Sequence, residues 1–363
     1  MWGLLQEKLK IFIDMLGTNV VETDLTIISA LKLMDEIKQK LLFIVEPDNK
    51  FIGVLSLGDI QRAIINQKSL ETPISEILRK NITISDTEQS FEEIKQVMLE
   101  KRAEAMPVLD DKGYLVKVIY WEDIIGDDTT KNKPQINLPV VIMAGGQGSR
   151  LKPLTNVIPK PLIPIGDKTI LEEIMDSFKE YGCENFYISV NYKAEMIRYY
   201  LKNQAKTKYN ISYFQEEKPL GTAGSLHLLS KALDNTFFVS NCDILIDQDY
   251  SEILSYHKEN KNELTVVAAL KSYSIPYGTI ETRENGILDS ITEKPDITFK
   301  INTGLYILEP HLLKEIPQNT FYHITTLIED LQKQNRRIGV FPISQNSWKD
   351  IGEWKEYLKL IHE

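Results

Sequence analysis

The spacing of hydrophobic residues changes near residue 138. Beyond it, short apolar runs alternate with segments in which apolar residues recur every three or four positions. The run 139–144 is fully apolar, whereas Ile170, Ile174 and Phe178 form a helical stripe within 169–181. Repeated strand–helix units predict an α/β domain with a mainly parallel sheet and ligands at the carboxyl ends of its strands. Further predicted strands are 186–190, 211–214 and 237–243, and further predicted helices are 193–202 and 222–233.

The residues before 126 contain one pattern twice. Residues 19–60 and 81–124 each read as a short strand, a helical segment, an apolar strand, a polar turn, another strand and a helix start. The apolar strands are 42–45 and 105–109. Because such a half-module leaves one sheet face uncovered, the two copies are expected to pack against each other.

The segment 53–62, GVLSLGDIQR, looks like the end of a CBS motif. The duplication therefore resembles a CBS pair over residues 1–126, a smaller α+β module with repeats at 19–66 and 81–126. The resemblance implies that Ser56 and Asp59 bind the phosphate and ribose of an adenine nucleotide. Asp123 is the corresponding carboxylate of the second copy, but Tyr120 stands where a hydroxyl residue is expected there. A structural or dimerising module without a ligand remains the alternative.

Composition narrows the classes of partner. The 363 residues suggest two to three domains at about 150 residues each, and the polar segment 127–138 is the expected linker. The net charge of −10 argues against nucleic-acid and anionic-membrane binding. No apolar run approaches about 20 residues, and the first 16 residues are amphipathic, so a cytoplasmic protein is expected. Two cysteines and five scattered histidines exclude a disulfide scaffold and leave carboxylates as the ligands for any metal.

A glycine-rich loop follows the first strand of the second domain. Ala144, Gly145, Gly146 and Gly148 belong to the sequence AGGQGSRL, in which glycines let the backbone approach a ligand and aim N–H groups at phosphate oxygens. The spacing matches neither the dinucleotide motif nor a P-loop. Taken alone, the loop would by default be interpreted as a tight structural turn.

The longer string 144–172, AGGQGSRLKPLTNVIPKPLIPIGDKTILE, resembles the signature of the sugar-phosphate nucleotidyltransferases. The resemblance covers residues 139–363 and implies a Rossmann-like, mainly parallel mixed sheet. Arg150 and Lys160 place two cations beside the glycines, and the prolines next to Lys160 stiffen its loop. These cations can neutralise the charge that develops on a triphosphate as pyrophosphate leaves.

Residues 215–225, QEEKPLGTAGS, resemble the base-binding segment of that family, in the form found in its guanylyltransferase branch. The resemblance places Gly221 and Thr222 at the nucleotide and Glu216 against the base. Guanine presents two adjacent donors, which suit a carboxylate, whereas uracil or thymine suits glutamine. The alternative is that Glu216 and Glu217 form an exposed acidic pair.

Two distant aspartates, Asp243 at a predicted strand end and Asp350 in WKDIG, resemble the family's metal-binding carboxylates. Together with phosphate oxygens and water they would suit Mg²⁺. The resemblance also implies a sugar-phosphate half-site in which Lys294 contacts the phosphate. Its other members are Gly278, Glu293, Asn302, Thr303 and Gly304, although Thr303 could equally be a strand residue without ligand contact.

The expected reaction is in-line attack of a sugar-1-phosphate on GTP, without a covalent enzyme intermediate. The whole chain resembles the CBS-fused guanylyltransferases of bacterial legionaminic acid pathways, which implies glucosamine-1-phosphate as the sugar and a homo-oligomer. Mannose-1-phosphate is the first alternative, and uridylyl, cytidylyl or thymidylyl transfer are others. A non-catalytic nucleotide-sensing subunit would have lost one of the five charged residues Arg150, Lys160, Asp243, Lys294 and Asp350, and all five are present.

Overall fold

The computed structural model describes residues 18–79, 82–101, 103–120, 133–204 and 208–362. The protein divides into two compact units, Met1–Asn132 and Lys133–Glu363. Their boundary falls within the predicted linker 127–138, of which residues 127–132 lie outside the described part.

The first unit contains two copies of a three-stranded sheet. The first copy comprises β1 (Val20–Glu22), α1 (Ile27–Ile37), β2 (Leu41–Val45), β3 (Phe51–Ser56) and α2 (Leu57–Ile65). The second comprises β4 (Ser85–Asp86), α3 (Phe91–Lys101), β5 (Ala105–Leu109) and β6 (Leu115–Tyr120). In each copy the first strand is parallel to the middle strand, and the third is antiparallel to it.

The two copies share a core, as the repeated pattern predicts. Phe43 and Val45 of β2 lie in one buried cluster with Leu109 and Leu115 of the second copy. An antiparallel bridge between Lys50 and Tyr114 joins the copies at the start of β3 and β6. The sheet face that each copy would leave exposed is therefore covered by the other.

The second unit is built on a seven-stranded sheet. Its strands are β7 (Val140–Met143), β10 (Asn185–Val190), β11 (Asn210–Gln215), β12 (Phe237–Asn241), β14 (Leu264–Ser274), β17 (Asp296–Leu308) and β18 (Ile338–Ile343). They lie in the order β11-β10-β7-β12-β17-β14-β18. All neighbouring pairs are parallel except the two that involve β17, so the predicted mainly parallel mixed sheet is confirmed. Helices α4 (Ile170–Lys179), α5 (Ala194–Gln204), α6 (Tyr250–Glu259), α7 (Ile324–Lys333) and α8 (Trp354–His362) belong to the same unit.

Three two-stranded ribbons complete this unit. They are β8 (Pro164–Ile165) with β9 (Lys168–Thr169), β13 (Ile244–Ile246) with β19 (Trp348–Asp350), and β15 (Thr279–Thr282) with β16 (Leu288–Thr292). No helix in the described ranges is both long enough and apolar enough to cross a bilayer.

Two predicted elements of the second unit differ from the structure. The predicted helix 222–233 is wrong, because only a 3₁₀ helix over Gly224–Leu229 forms there. The predicted strand 237–243 ends at Asn241, so Asp243 lies in the turn before β13. This shorter strand places the Asp243 carboxylate just beyond the carboxyl end of β12.

Candidate functional site

A cleft of about 300 Å³ lies at the carboxyl ends of β7 and β12. The end of β7 leads into the glycine loop, and the end of β12 leads into Asp243. Side chains and backbone from four separate segments of the chain meet here. The lining residues are Arg150, Asn241, Asp243, Ile244, Ile301, Asn302, Thr303, Gly304, Tyr306, Trp348 and Asp350.

Lys160 and Asp243 form an ion pair at this cleft. Lys160 is only 7% exposed, and Arg150 Nη2 lies 3.9 Å from the same Asp243 Oδ2 atom. The glycine loop packs directly against Lys160, because a Cβ on Gly148 would lie 3.0 Å from the Lys160 Cβ. Thr155 donates to the Gly148 carbonyl at 2.9 Å and fixes this approach. Arg150, Lys160 and the glycine loop therefore lie next to one another, as the sequence predicts.

The β13–β19 ribbon brings Asp350 to Asp243. Ile244 pairs with Asp350 in the antiparallel register, and the Ile351 N–H donates to the Asp243 carbonyl at 2.8 Å. Both carboxylates line the cleft. Two carboxylates in an open, polar cleft fit Mg²⁺, which usually takes few protein ligands and keeps phosphate oxygens and water in its remaining positions. Among the described residues, no cluster of three or more metal-ligating side chains occurs.

Glu216 is buried, with 7% of its surface exposed. Its Oε1 accepts from the Ser189 hydroxyl at 2.9 Å, and its Oε2 accepts from the Leu220 N–H at 3.0 Å. A Cβ on Gly145 would lie 3.3 Å from Oε1, so this carboxylate sits beside the glycine loop. The alternative of an exposed acidic pair is therefore wrong for Glu216, although Glu217 is exposed.

The LGTAG segment docks on residues 320–324. Gly221 has φ +80°, and a Cβ there would lie 2.7 Å from the Tyr322 carbonyl. That carbonyl accepts from the N–H groups of Ala223 and Gly224, each at 3.0 Å. The Thr222 hydroxyl accepts from the Ile324 N–H at 3.0 Å, at the start of α7. The segment thus has a packing role that the sequence analysis missed, beside the nucleotide-binding role expected for Gly221 and Thr222.

Three of the predicted sugar-site residues line the cleft: Asn302, Thr303 and Gly304. Asn302 donates to the Tyr306 hydroxyl at 2.9 Å and accepts from the Gly304 N–H at 3.1 Å. The Thr303 hydroxyl donates to the Val267 carbonyl at 2.8 Å, at the register shift between β14 and β17. Its side chain therefore behaves as the strand residue of the alternative interpretation.

The other three predicted sugar-site residues are not among the residues that line the cleft. Gly278, Glu293 and Lys294 are exposed at the base of the β15–β16 hairpin. Gly278 and Glu293 are neighbours, since a Cβ on Gly278 would lie 2.9 Å from Glu293 Oε2. The predicted sugar-site residues thus form two groups, one lining the cleft and the other at the base of the hairpin.

Asn241, Tyr306 and Trp348 line the cleft without having been singled out from the sequence. Asn241 and Trp348 each stand two residues before a predicted metal aspartate. Because residues i and i+2 of a strand point to the same side, this spacing could have indicated that both face the cleft. Burial raises the pKa of Tyr306 to about 12, which keeps its phenol protonated at neutral pH.

In the first unit, Ser56 and Asp59 form a capping box at the start of α2. Asp59 is 6% exposed, pairs with Arg62, and accepts from Arg79 Nε at 2.7 Å. Arg79 also donates to the Ser56 hydroxyl at 3.0 Å. Burial acts to raise the pKa of Asp59, but the hydrogen bonds from Arg79 and Ser56 outweigh it and lower that pKa. Both predicted ligand residues are therefore occupied by internal contacts.

The second copy differs at the corresponding position. The Tyr120 hydroxyl donates to Asn19 Oδ1 at 2.8 Å, and its ring lies edge-on to Phe43 at 6.3 Å. Asp123 lies outside the described residues. Within the described part of the unit, only the first copy presents a serine–aspartate pair at the start of a helix.

Comparison with protein-family models gives a match to the model described as nucleotidyl transferase over residues 139–363. The chain belongs to the nucleotidyl transferase family. The CBS domain model matches residues 18–66 and 74–127, which cover the two copies of the first unit. This nucleotidyl transferase thus carries a CBS pair ahead of the matched region.

The chain is 33% identical over 233 residues to the mannose-1-phosphate guanyltransferase of Yarrowia lipolytica, covering 60% of this chain and 61% of that protein. It is 31% identical over 224 residues to the mannose-1-phosphate guanylyltransferase catalytic subunit beta of Drosophila melanogaster, covering 60% of each. It therefore spans about three fifths of the length of these curated relatives. The crystal structure of HddC from Yersinia pseudotuberculosis matches with a TM-score of 0.50 and 27% identity, over 62% of this chain and 98% of that one.

Gly146 and Gly148 of the glycine loop differ in their surroundings in this nucleotidyl transferase. A Cβ on Gly146 meets no atom within 4 Å, whereas one on Gly148, at φ +63°, lies 2.8 Å from Thr155 Cγ2. We expect Gly146→Ala to keep the unfolding midpoint and to weaken nucleoside triphosphate binding about tenfold or more, a loss of about 1.4 kcal/mol. Gly148→Ala should lower the stability by about 1–3 kcal/mol. Thermal unfolding and titration calorimetry measure the two effects, and unchanged nucleotide affinity in Gly146→Ala would contradict a phosphate cradle.

Proposed function

We propose that this protein transfers a guanylyl group from GTP to a hexose-1-phosphate, giving a GDP-sugar and pyrophosphate. The observation that carries the proposal is that Arg150, Asp243 and Asp350 line one cleft, where Asp243 also pairs with Lys160, against which the glycine loop packs. A polyphosphate needs cations, hard oxygen ligands for a metal and close backbone N–H groups, and the cleft and the adjoining glycine loop together supply these three kinds of group. The printed activity of the relatives, of whose length the chain spans about three fifths, supports the same class of reaction.

The sugar phosphate supplies its own nucleophile. Its second pKa is about 6, so it is largely a dianion at neutral pH and needs no general base. One of its oxygens bonds to the α-phosphorus of GTP while the bond from that phosphorus to the bridging oxygen breaks. The electron pair of the broken bond stays on the bridging oxygen, and pyrophosphate leaves on the side opposite the attacking oxygen. Burial raises the pKa of Cys242 to about 12 and that of Cys183 to about 11, so neither thiol competes as a nucleophile.

Lys160 and Arg150 carry the charge of the triphosphate in this proposal. The buried position of Lys160 keeps water from screening its ammonium, and the packing of Gly148 fixes its distance from the loop. Lys294, which is exposed at the hairpin base, would bind the phosphate of the incoming sugar. Asp243 and Asp350 would hold Mg²⁺, which neutralises phosphate charge when bound.

Guanine is favoured by Glu216. Its carboxylate is oriented by Ser189 and Leu220 beside Gly145, and a carboxylate has lone pairs left for two donors on a base edge. The relatives with printed guanylyltransferase names support the same base. Uridylyl, cytidylyl and thymidylyl transfer remain the alternatives.

For the sugar, we propose glucosamine-1-phosphate. The combination of a CBS pair with a nucleotidyl transferase unit resembles the CBS-fused guanylyltransferases that act on this sugar phosphate. Mannose-1-phosphate is the second candidate, and the printed names of the relatives favour it. Asn302 and Tyr306 are hydrogen-bonded to each other at the cleft and would offer polar groups to a sugar hydroxyl there.

A substrate matrix tests the proposal. Each common nucleoside triphosphate is combined with glucosamine-, N-acetylglucosamine-, glucose- and mannose-1-phosphate, and pyrophosphate release is measured with Mg²⁺ and with a chelator. We expect release with GTP and one amino- or hydroxy-hexose phosphate, and none with the chelator. Turnover with UTP but not GTP would contradict the base assignment, and no turnover with any pair would contradict the reaction.

Lys160→Ala should lower kcat for pyrophosphate release about 100-fold or more, the usual loss when one charge-stabilising group is removed. Lys168→Ala is the matched control, because Lys168 lies in the same segment but pairs with Asp176 and Glu173 instead of Asp243. Steady-state kinetics with both variants checks the prediction. Equal losses in the two variants would indicate general damage to the loop and would contradict the role of Lys160.

We further propose that the CBS pair binds one adenine nucleotide, at the first copy. Displacement of Arg79 by a nucleotide would free one donor contact on each of Ser56 and Asp59 there, whereas Tyr120 is bonded to Asn19 in the second copy. Calorimetry of the full chain with AMP, ADP and ATP should therefore give one site that Ser56→Ala weakens about tenfold and Lys160→Ala leaves unchanged. Tyr120→Phe is the matched control in the second copy. Binding that survives Ser56→Ala unchanged would contradict this assignment.

A further inference from the structure

A three-residue turn, the 191–193 turn, connects β10 to α5. β10 lies between β7 and β11 in the sheet and is parallel to both, so the carboxyl ends of the three strands share one edge. At that edge β7 leads into the glycine loop, and β11 leads into Glu216. The strand order therefore places the 191–193 turn between the glycine loop and the predicted base-binding carboxylate.

The 191–193 turn is hydrogen-bonded to both of these neighbours. The Tyr192 N–H donates to the Gly145 carbonyl at 3.4 Å, and the Asn191 side-chain amide donates to the Glu216 carbonyl at 3.2 Å. A Cβ on Gly145 would lie 3.4 Å from the Asn191 Cβ, so the glycine loop also packs against the turn. The glycine loop and the segment that carries Glu216 thus share one support.

Lys193 reaches from the turn to segment 153–158, which precedes the predicted catalytic lysine. Its Nζ donates to the Asn156 carbonyl at 2.6 Å and to the Val157 carbonyl at 2.8 Å. These carbonyls lie at the end of the short 3₁₀ helix Leu154–Asn156. The last carbonyls of a helix need partners from outside it, and a lysine ammonium suits them. Because Val157 is 69% exposed, burial does little to hold this part of the segment, and the bonds from Lys193 tie it to the turn.

Segment 153–158 in turn supports the glycine loop and Lys160. The Tyr192 hydroxyl donates to the Thr155 carbonyl at 3.2 Å, and the Thr155 hydroxyl donates to the Gly148 carbonyl at 2.9 Å. A Cβ on Gly148 would lie 3.0 Å from the Lys160 Cβ. Hydrogen bonds and packing therefore form a continuous path from the 191–193 turn to Lys160.

The backbone of Lys193 is in the left-handed region, with φ +51°. Glycine and asparagine adopt this region more readily than lysine does, because the longer side chain crowds the backbone there. Residues in such conformations persist where the surrounding structure holds them, and they cluster at functional sites. A lysine at this position therefore points to a use for its ammonium group, and the two bonds to segment 153–158 supply one.

We propose that Lys193 and Tyr192 are positioning residues for the triphosphate site. They hold segment 153–158 so that Lys160 and the glycine loop keep their relative places. A small displacement of a group that stabilises developing charge lowers the rate strongly, so loss of this restraint lowers turnover although neither side chain contacts the reacting atoms. The effect on turnover rests on the proposed function, whereas the restraint on the segment does not.

Hydrogen–deuterium exchange of the full chain without ligand tests the restraint independently of activity. The N–H groups of Val157 and Ile158 donate to the Leu154 carbonyl, and Lys193→Met should speed their exchange about tenfold, because two charge-assisted bonds to the segment are lost. Methionine keeps the length of the side chain and removes only its charge and donors. Lys193→Arg should restore slow exchange, since a guanidinium also donates to two carbonyls. Lys202→Met, in the last turn of the following helix α5, is the matched control.

A double-mutant cycle tests the path to Lys160. Lys193→Met should lower kcat for pyrophosphate release about tenfold while KM for the sugar phosphate stays at the wild-type value, and Lys193→Arg should recover most of the rate. Tyr192→Phe, which loses one uncharged bond, should lower kcat about threefold. Because Lys193 acts through Lys160, Lys193→Met should cause no further loss in the Lys160→Ala background. Circular dichroism verifies that all variants fold.

Three results would overturn the proposal. The first is exchange of segment 153–158 that is the same in Lys193→Met and in wild type. The second is an equal change in Lys202→Met. The third is a full further loss of kcat when Lys193→Met is added to Lys160→Ala, which would give Lys193 an effect of its own. A wild-type chain that releases no pyrophosphate with any substrate pair would refute the proposed function, and the exchange experiment would still decide whether Lys193 holds the segment.

Discussion

The pairing of Lys160 with Asp243 is the interaction on which the site depends. Taking an ammonium group out of water costs several kcal/mol unless a carboxylate and further hydrogen bonds compensate. The side chain of Lys160 is 9% exposed and that of Asp243 is 14% exposed, so each needs the other. Around this pair the chain places a rigid proline-flanked segment, the close approach of Gly148 and the guanidinium of Arg150. A charged centre is thus held in place before any anion arrives, which reduces the reorganisation needed on binding.

Much of the second unit follows from local pattern. The stripe of Ile170, Ile174 and Phe178 and the apolar run 139–144 predict a helix and a strand that the structure contains. Arg150, Asp243 and Asp350 line one cleft and Lys160 pairs with Asp243, although their roles in binding remain predictions. These features depend on periodicity and on motifs that occupy short stretches of sequence.

Other features depend on contacts between distant segments and were not predictable from local pattern. The expected helix 222–233 is reduced to a 3₁₀ turn because Gly221 and Gly224 lie against the Tyr322 backbone, about a hundred residues further along. Ser189 orients Glu216, yet within its apolar strand it looks like an ordinary small residue. The split of the sugar-site residues between cleft and hairpin follows from the bend between β14 and β15, which the sequence marks only with Pro276 and Gly278.

The β13–β19 ribbon links the order of synthesis to the completion of the site. Asp243 lies in the middle of the second unit, but its companion Asp350 arrives only with β19, and α8 then ties down the loop beyond Arg150 through the bond from Trp354 to the Lys152 carbonyl. During translation, the glycine loop and Lys160 are made before these segments. The pair of Lys160 and Asp243 can therefore form first, whereas Asp350 joins the site only after β19 has been made and has paired with β13.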